Sequence, residues 1–391
     1  MGWLIYIHLV LAISEIKICS SLNNQHIAVA YDPVAEESKE SFTVTELLPQ
    51  ISVIATRFTK ISHMIMDFNI DPHMKYDESR LFKVIPKAIA TYNRYHLKAG
   101  KPPLELALAL VISKTDNLSS IEEEFNVVQR SADDANSIYP KTVTKIYLEN
   151  RFLFTGNYTD IDKYEIAVSN IFLPKTTNYE IGATLPLPDC ELNDLPMFLR
   201  KFKHLAFDWY PVQEEEDKPV VKETDPLLTA EMLAKQFGNC KATLDSFGLD
   251  ISIELRTSWL YKPGTEVDEH NRNLITYWNA INDWAVKINL TVVMLFAFDE
   301  PDGIKSVGHY SGWWQLKENV SLANISEDSF KEKIIMLSNN SHSVTFWILL
   351  FAGVFLILGV IVFASFKLSR RFITDAHRAW IARYFSFLNV A

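Results

Sequence analysis

Three short runs hold side chains able to transfer a proton or attack carbon. "LENR" sets Glu149, Asn150 and Arg151 in a row, "IELR" sets Glu254 two residues before Arg256, and "FDE" ends on Asp299 and Glu300. Carboxyl groups in pairs serve as general acid with base or nucleophile, the equipment for cleaving a glycosidic bond. Tyr31, Trp209, Tyr210 and Trp259 stand at comparable places in their own apolar runs. Two roles fit such rings: stacking on a sugar, or filling the core. Metal chemistry is poorly supplied, since Asp299 and His309 alone do not make a site. No nucleophile elbow or Ser-His-Asp order is visible, and "PVAEES" after Asp32 lacks a dinucleotide-binding glycine turn. No cofactor and no metal are expected.

The elements that must position these residues alternate. Apolar runs begin at His26, Arg57, Leu104, Thr144, Tyr179, His204, Ile251 and Leu290. Between several of them lie stretches with apolar residues at helical spacing, such as "TVTELLPQISVIA" from Thr43, "LLTAEMLAKQFGNCKATLDSFG" from Leu227 and "EHNRNLITYWNAINDWAVKI" from Glu269. Strands alternating with helices call for a parallel sheet, and eight such units predict an α/β fold, a (β/α)8 TIM barrel. A doubly wound open sheet is the alternative. In the barrel the chemistry gathers at the C-terminal strand ends, which is where Tyr31, Asn150, Trp209, Tyr210, Trp259, Asp299 and Glu300 fall as a candidate ligand-binding rim. "EEEDK" from Glu214 reads as a solvated acidic loop.

The 391 residues carry a net charge of −10, which argues against nucleic acid as a partner. Residues 1–21 read as a signal peptide, with an apolar stretch too short to span a bilayer. Residues 22–337 form the expected barrel, 338–343 a polar stalk, and 344–366 an uncharged apolar run long enough for one C-terminal transmembrane helix. "KLSRR" follows at once, so residues 367–391 become a short basic cytoplasmic tail. The expectation is a single-pass type I membrane glycoprotein of the cell surface or secretory pathway. Six sequons precede the span, at Asn117, Asn157, Asn289, Asn319, Asn324 and Asn339. Cys190 and Cys240 can form one disulfide or remain two free thiols.

The chain resembles glycoside hydrolase family 17, the β-1,3-glucanases and glucanosyltransferases. "IAVAYDP" is similar to the family's opening strand, "SIYPKTVTKIYLENRFLFTG" to the segment leading into its acid/base motif, and "AFDWYP" to its strand-six Tyr-Pro. "ISIELRTSW" resembles the nucleophile strand, and "LFAFDEPD" with "GHYSGWW" the closing motifs. The resemblance implies that Arg151 and Arg256 stand where the family has its acid/base and nucleophile glutamates. Guanidinium stays protonated and has no oxygen with which to attack. A silent, glycosidase-like barrel that binds a glycan or an extracellular protein partner is therefore the leading expectation. Two alternatives remain: an active retaining β-glycosidase or glucanosyltransferase using displaced carboxylates (Glu149, Glu254 or Glu300), and a structural or adhesion glycoprotein whose rim is closed by ion pairs. Buried arginine needs pairing, so Glu149, Glu254, Asp299 and Glu300 are its expected partners.

Overall fold

All eight apolar runs pair side by side, and each neighbouring pair is parallel. The computed structural model describes residues 26–34, 42–63, 75–98, 100–112, 118–150, 179–187, 202–209, 212–215, 218–221, 225–248, 250–260, 265–299, 310–318, 320–334 and 374–383. In chain order the strands are β1 (Ile27–Ala30), β2 (Lys60–His63), β3 (Glu105–Ile112), β4 (Val143–Asn150), β5 (Glu180–Pro186), β6 (His204–Trp209), β7 (Val212–Glu215), β8 (Lys218–Val221), β9 (Ser252–Thr257), β10 (Thr291–Met294), β11 (Trp314–Leu316) and β12 (Phe330–Glu332). The barrel closes in the order β1-β10-β9-β6-β5-β4-β3-β2. This is the expected (β/α)8 architecture.

Parallel neighbours require crossovers. The described crossover helices are α1 (Val44–Ile54), α2 (Lys75–Tyr95), α3 (Leu118–Ile138), α4 (Pro226–Ser246) and α5 (Val267–Ile288). Local chemistry sets their ends. The Thr43 amide donates to Glu46 Oε2 at 2.8 Å before α1. Asp225 accepts from the Leu227 and Leu228 amides while Pro226 opens α4. Asn289 closes α5 in the left-handed region at φ 54°. Helix α5 buries His270, Leu274, Tyr277, Trp278, Ile281, Asn282 and Ala285, a stripe at helical spacing laid against the strands.

Strand alternation sorts the side chains. Ile27 and Val29 join Leu47, Ile51 and Ile54 in the layer between strands and helices, while Ala28 and Ala30 group separately with Val293 and Leu295. Around Tyr147 the barrel lining is small. Ala107 and Ala206 pack with Tyr147, and a Cβ on Gly182 would lie 2.5 Å from the Tyr147 ring. Glycine is what lets that ring cross the interior.

Two details differ from the sequence reading. The "EEEDK" stretch is not a plain loop: β7 and β8 pair as an antiparallel hairpin with Glu215 opposite Lys218 in register. The last apolar run stops being a strand at Met294. Beyond it the chain bends to pair with the segment after Tyr310, where Asp299 N donates to Trp314 O at 2.9 Å. Gly312 permits this approach, because a Cβ there would meet the Phe298 carbonyl carbon at 2.1 Å.

Contacts divide the chain into Met1–Met336 and Leu337–Ala391. In the second unit, residues 374–383 form a helix, α6. Among the described residues no helix is long and apolar enough to cross a membrane. The stretches 1–21 and 344–366 lie outside the described residues.

Candidate functional site

The question posed by Arg256 is answered inside the barrel. Residues 254 and 256 share a face of β9, as do 147 and 149 on β4. Register sets Asp208 of β6 beside Arg256 and Ala206 beside Glu254. The result is one cation among three carboxylates. Arg256 Nη1 donates to Glu149 Oε1 at 2.7 Å, Nε reaches Glu254 Oε1 at 3.5 Å, and Nη1 lies 3.9 Å from Asp208 Oδ1. The guanidinium carbon sits 4.8 Å from the Tyr147 ring centroid, and the Tyr147 hydroxyl donates to Glu254 Oε2 at 3.5 Å. The Arg256 side chain is 0% exposed.

Burial alone disfavours the charge on Arg256. Glu149, then Asp208 and Glu254, outweigh it and raise its pKa further, so the guanidinium stays charged. Asp208 behaves oppositely. Burial pushes its carboxyl up to about 8, with Arg256 opposing and Glu149 and Glu254 adding. Near neutral pH it is mostly a neutral acid. Tyr147 is raised well above its usual value by burial and by Glu254. Hydrolysis with retention needs two carboxyl groups about 5–5.5 Å apart, one free to attack and one to hand over a proton. Here Glu149 and Glu254 are both engaged by Arg256. The geometry is that of a charge lock.

The structure redistributes the expected rim. Tyr31, Trp209 and Trp259 do not face a cleft; all three are buried in the layer between strands and helices. Tyr31 donates to Gln50 of α1 at 3.4 Å, and burial, then Asp32, raises its pKa. Trp209 Nε1 donates to Gln236 of α4. Trp259 packs on Tyr277 of α5 with ring centroids 5.5 Å apart. The physical reason is alternation: Asp208 points inward, so its neighbour Trp209 points outward.

Asp299 does not pair with Arg256 either. It accepts from Lys333 Nζ at 2.6 Å and from the Gly312 amide at 2.9 Å, pinning the segment after β10. Lys333 also donates to Tyr310 O, as His270 Nε2 lies 3.0 Å from it. Burial first, then Lys333, lowers His270 to about 4. Arg151, Tyr210 and Glu300 lie outside the described residues, and for Asn150 only the backbone at the end of β4 is described.

Two residues of the lock were not expected as partners of Arg256. Asp208 as a partner needs the β6–β9 register, and Tyr147 as a platform needs Gly182. Their signal was parity: Tyr147 lies two before Glu149, and Asp208 lies at the end of an inward-facing series. Among the sequons, Asn289 and Asn324 are exposed, and Asn117, Asn157, Asn319 and Asn339 lie outside the described residues. Cys240 is buried and disulfide-bonded. Its partner lies outside the described residues, where the chain's other cysteines, Cys19 and Cys190, are found.

A cavity of about 120 Å³ opens at the other end of the barrel, lined by Lys60, Ser62, Glu105, Lys145, Ser252 and Glu254 among others. These are strand N-termini, the end that stabilises this fold and not the one that carries its chemistry. Among the described residues no group of three or more His, Cys, Asp or Glu side chains is placed to hold a metal ion.

No protein-family profile matches the chain, and no curated protein matches it. Solved structures do. A glycoside hydrolase family 17 β-1,3-glucanosyltransferase from Rhizomucor miehei superposes with a TM-score of 0.54 at 13% identity, over 80% of this chain and 97% of that one. An active-site mutant of the Rhizomucor miehei β-1,3-glucanosyltransferase, in complex with laminaritriose, gives 0.53 at 14% identity, over 79% and 97%. At this identity the likeness is one of fold: the chain is a TIM barrel similar in fold to these glycoside hydrolases.

Proposed function

We propose that this protein is a catalytically silent, glycosidase-like barrel displayed outside the cell on one membrane-spanning helix, where it engages a glycan or an extracellular protein through the loops at its C-terminal rim. The observation that carries the reading is Arg256, 0% exposed and bonded to Glu149 at 2.7 Å. The sequence resemblance to family 17 implies Arg256 at the nucleophile position, and an arginine there would supply neither nucleophile nor proton. Its charge opposes the oxocarbenium-like transition state of glycoside cleavage. With the interior locked, recognition falls to the rim loops. The apolar run 344–366 followed by "KLSRR", and the exposed sequon asparagines Asn289 and Asn324, support an ectodomain outside the cytosol.

The fold likeness to a glucanosyltransferase also favours a second reading, in which Glu149 and Glu254 work as a displaced carboxylate pair. A turnover assay on laminarin-type oligosaccharides separates the two, run on the parent beside Glu149→Gln and Glu254→Gln. The silent reading expects no turnover in any of them. Turnover in the parent that either substitution abolishes would sink it.

A further inference from the structure

The function above leaves the C-terminal helix unused. Residues 374–383 are helical and every one of them is exposed. Trp380 is 61% and Ile381 41% exposed, and the His377 and Trp380 rings stack with centroids 6.1 Å apart. At 100° per residue, Ala376, His377, Trp380 and Ile381 fall within one 140° sector of the helix. Asp375 lies opposite that sector, and Arg378 and Arg383 border it on its two flanks. Residues 367–391 carry five basic side chains (Lys367, Arg370, Arg371, Arg378, Arg383) against one acidic, Asp375. The chain as a whole is acidic, at −10.

We infer that this segment is a surface-lying amphipathic helix that binds anionic lipid headgroups, its Trp380–Ile381 side entering the interface and Arg378 and Arg383 meeting phosphate and carboxylate groups. The inference rests on the reading of 344–366 as a membrane span. Helix α6 begins eight residues after Phe366, so an extended connection holds it within roughly 27 Å of the bilayer. That keeps a tryptophan-bearing basic helix at the one surface with matching chemistry: apolar below the headgroups and negative at them. A protein partner would need to offer both features together.

The test is hydrogen exchange on the full chain in nanodiscs of phosphatidylcholine alone and of phosphatidylcholine with phosphatidylserine. Amides of residues 375–383 should exchange about tenfold more slowly in the anionic discs. Arg378→Glu with Arg383→Glu should abolish the difference. Equal exchange in the two lipids, protected or not, overturns the inference while leaving the membrane span standing. Release of the full chain from membranes by alkaline carbonate overturns both.

Discussion

Between strands and helices this protein is aromatic and apolar: Tyr31, Phe125, Phe207, Trp259, Tyr277 and Trp278 all lie in that layer. Inside the barrel Ala28, Ala30, Val293 and Leu295 form only a small apolar group, and much of the remaining space is taken by Tyr147, Glu149, Asp208, Glu254 and Arg256. A barrel of this class ordinarily fills its interior with branched aliphatic layers. The two regions therefore owe their stability to different physics. The outer layer sums many non-directional contacts. The interior holds a charge that is tolerable only as a set.

The largest effects test that contrast directly. Glu149→Leu takes the nearest carboxylate from a fully buried guanidinium and should cost about 3 kcal/mol by denaturant unfolding. Arg256→Met removes the cation, and combining it with Glu149→Leu should destabilise by clearly less than the two single changes together. In the outer layer Trp278, fully buried against Tyr277, should lose about 4 kcal/mol on change to Ala, through cavity and lost packing. That loss should add to Glu149→Leu within about 0.5 kcal/mol. Additivity between Glu149 and Arg256 would break the idea of a lock.

The pH dependence sharpens it. Asp208 has its folded pKa raised to about 8, above the unfolded value near 4. Its contribution is thus fully present below about pH 4 and is lost as pH rises toward 8, with a slope of up to about 1.4 kcal/mol per pH unit. His270 works the other way: lowered to about 4 when folded, it favours the folded state as pH rises from about 4 to 6.5. The window from pH 6.5 to 8 isolates Asp208. There the parent should lose stability as pH rises, and Asp208→Asn should flatten that fall. An unchanged slope would mean that Asp208 does not hold its proton in the barrel.

The same contrast explains what the sequence could and could not reveal. The strands and helices were legible because period 2 and period 3.6 are local. The partnership of Arg256 with Glu254 was legible from their two-residue spacing. Glu149 was a reasonable partner because its motif, like that of Arg256, sits at the C-terminal end of its own run, although β5 and β6 stand between β4 and β9 in the closed barrel. Asp208 was not, since β6 and β9 pair across an inserted hairpin and a helix, and register over such a gap is set by the closed barrel. Trp209, Tyr31 and Trp259 were read as rim because they sit near strand ends. The structure buries all three between strands and helices. Knowing that Asp208 faces inward would have turned Trp209 outward, but no local property of "FDWY" says which parity is inside.

The smallest expected effect lies where the two regions meet. Thr257 follows Arg256 on β9, so its side chain faces outward, and its Oγ1 lies 2.7 Å from the Tyr277 hydroxyl on α5. Both residues are fully buried. Tyr277→Phe keeps the ring that packs on Trp259 and Trp278 and removes only the hydroxyl. A buried neutral hydrogen bond contributes about 1 kcal/mol, and the orphaned Thr257 hydroxyl adds to the loss. Thr257→Val in the same chain should recover most of it, since removing both polar partners is nearly neutral. Tyr277→Phe should also leave the pH 6.5 to 8 slope of Asp208 untouched, because the bond belongs to the outer layer. A change in that slope would show that β9 transmits strain from the helix to Arg256, and the two regions would then have to be treated as one.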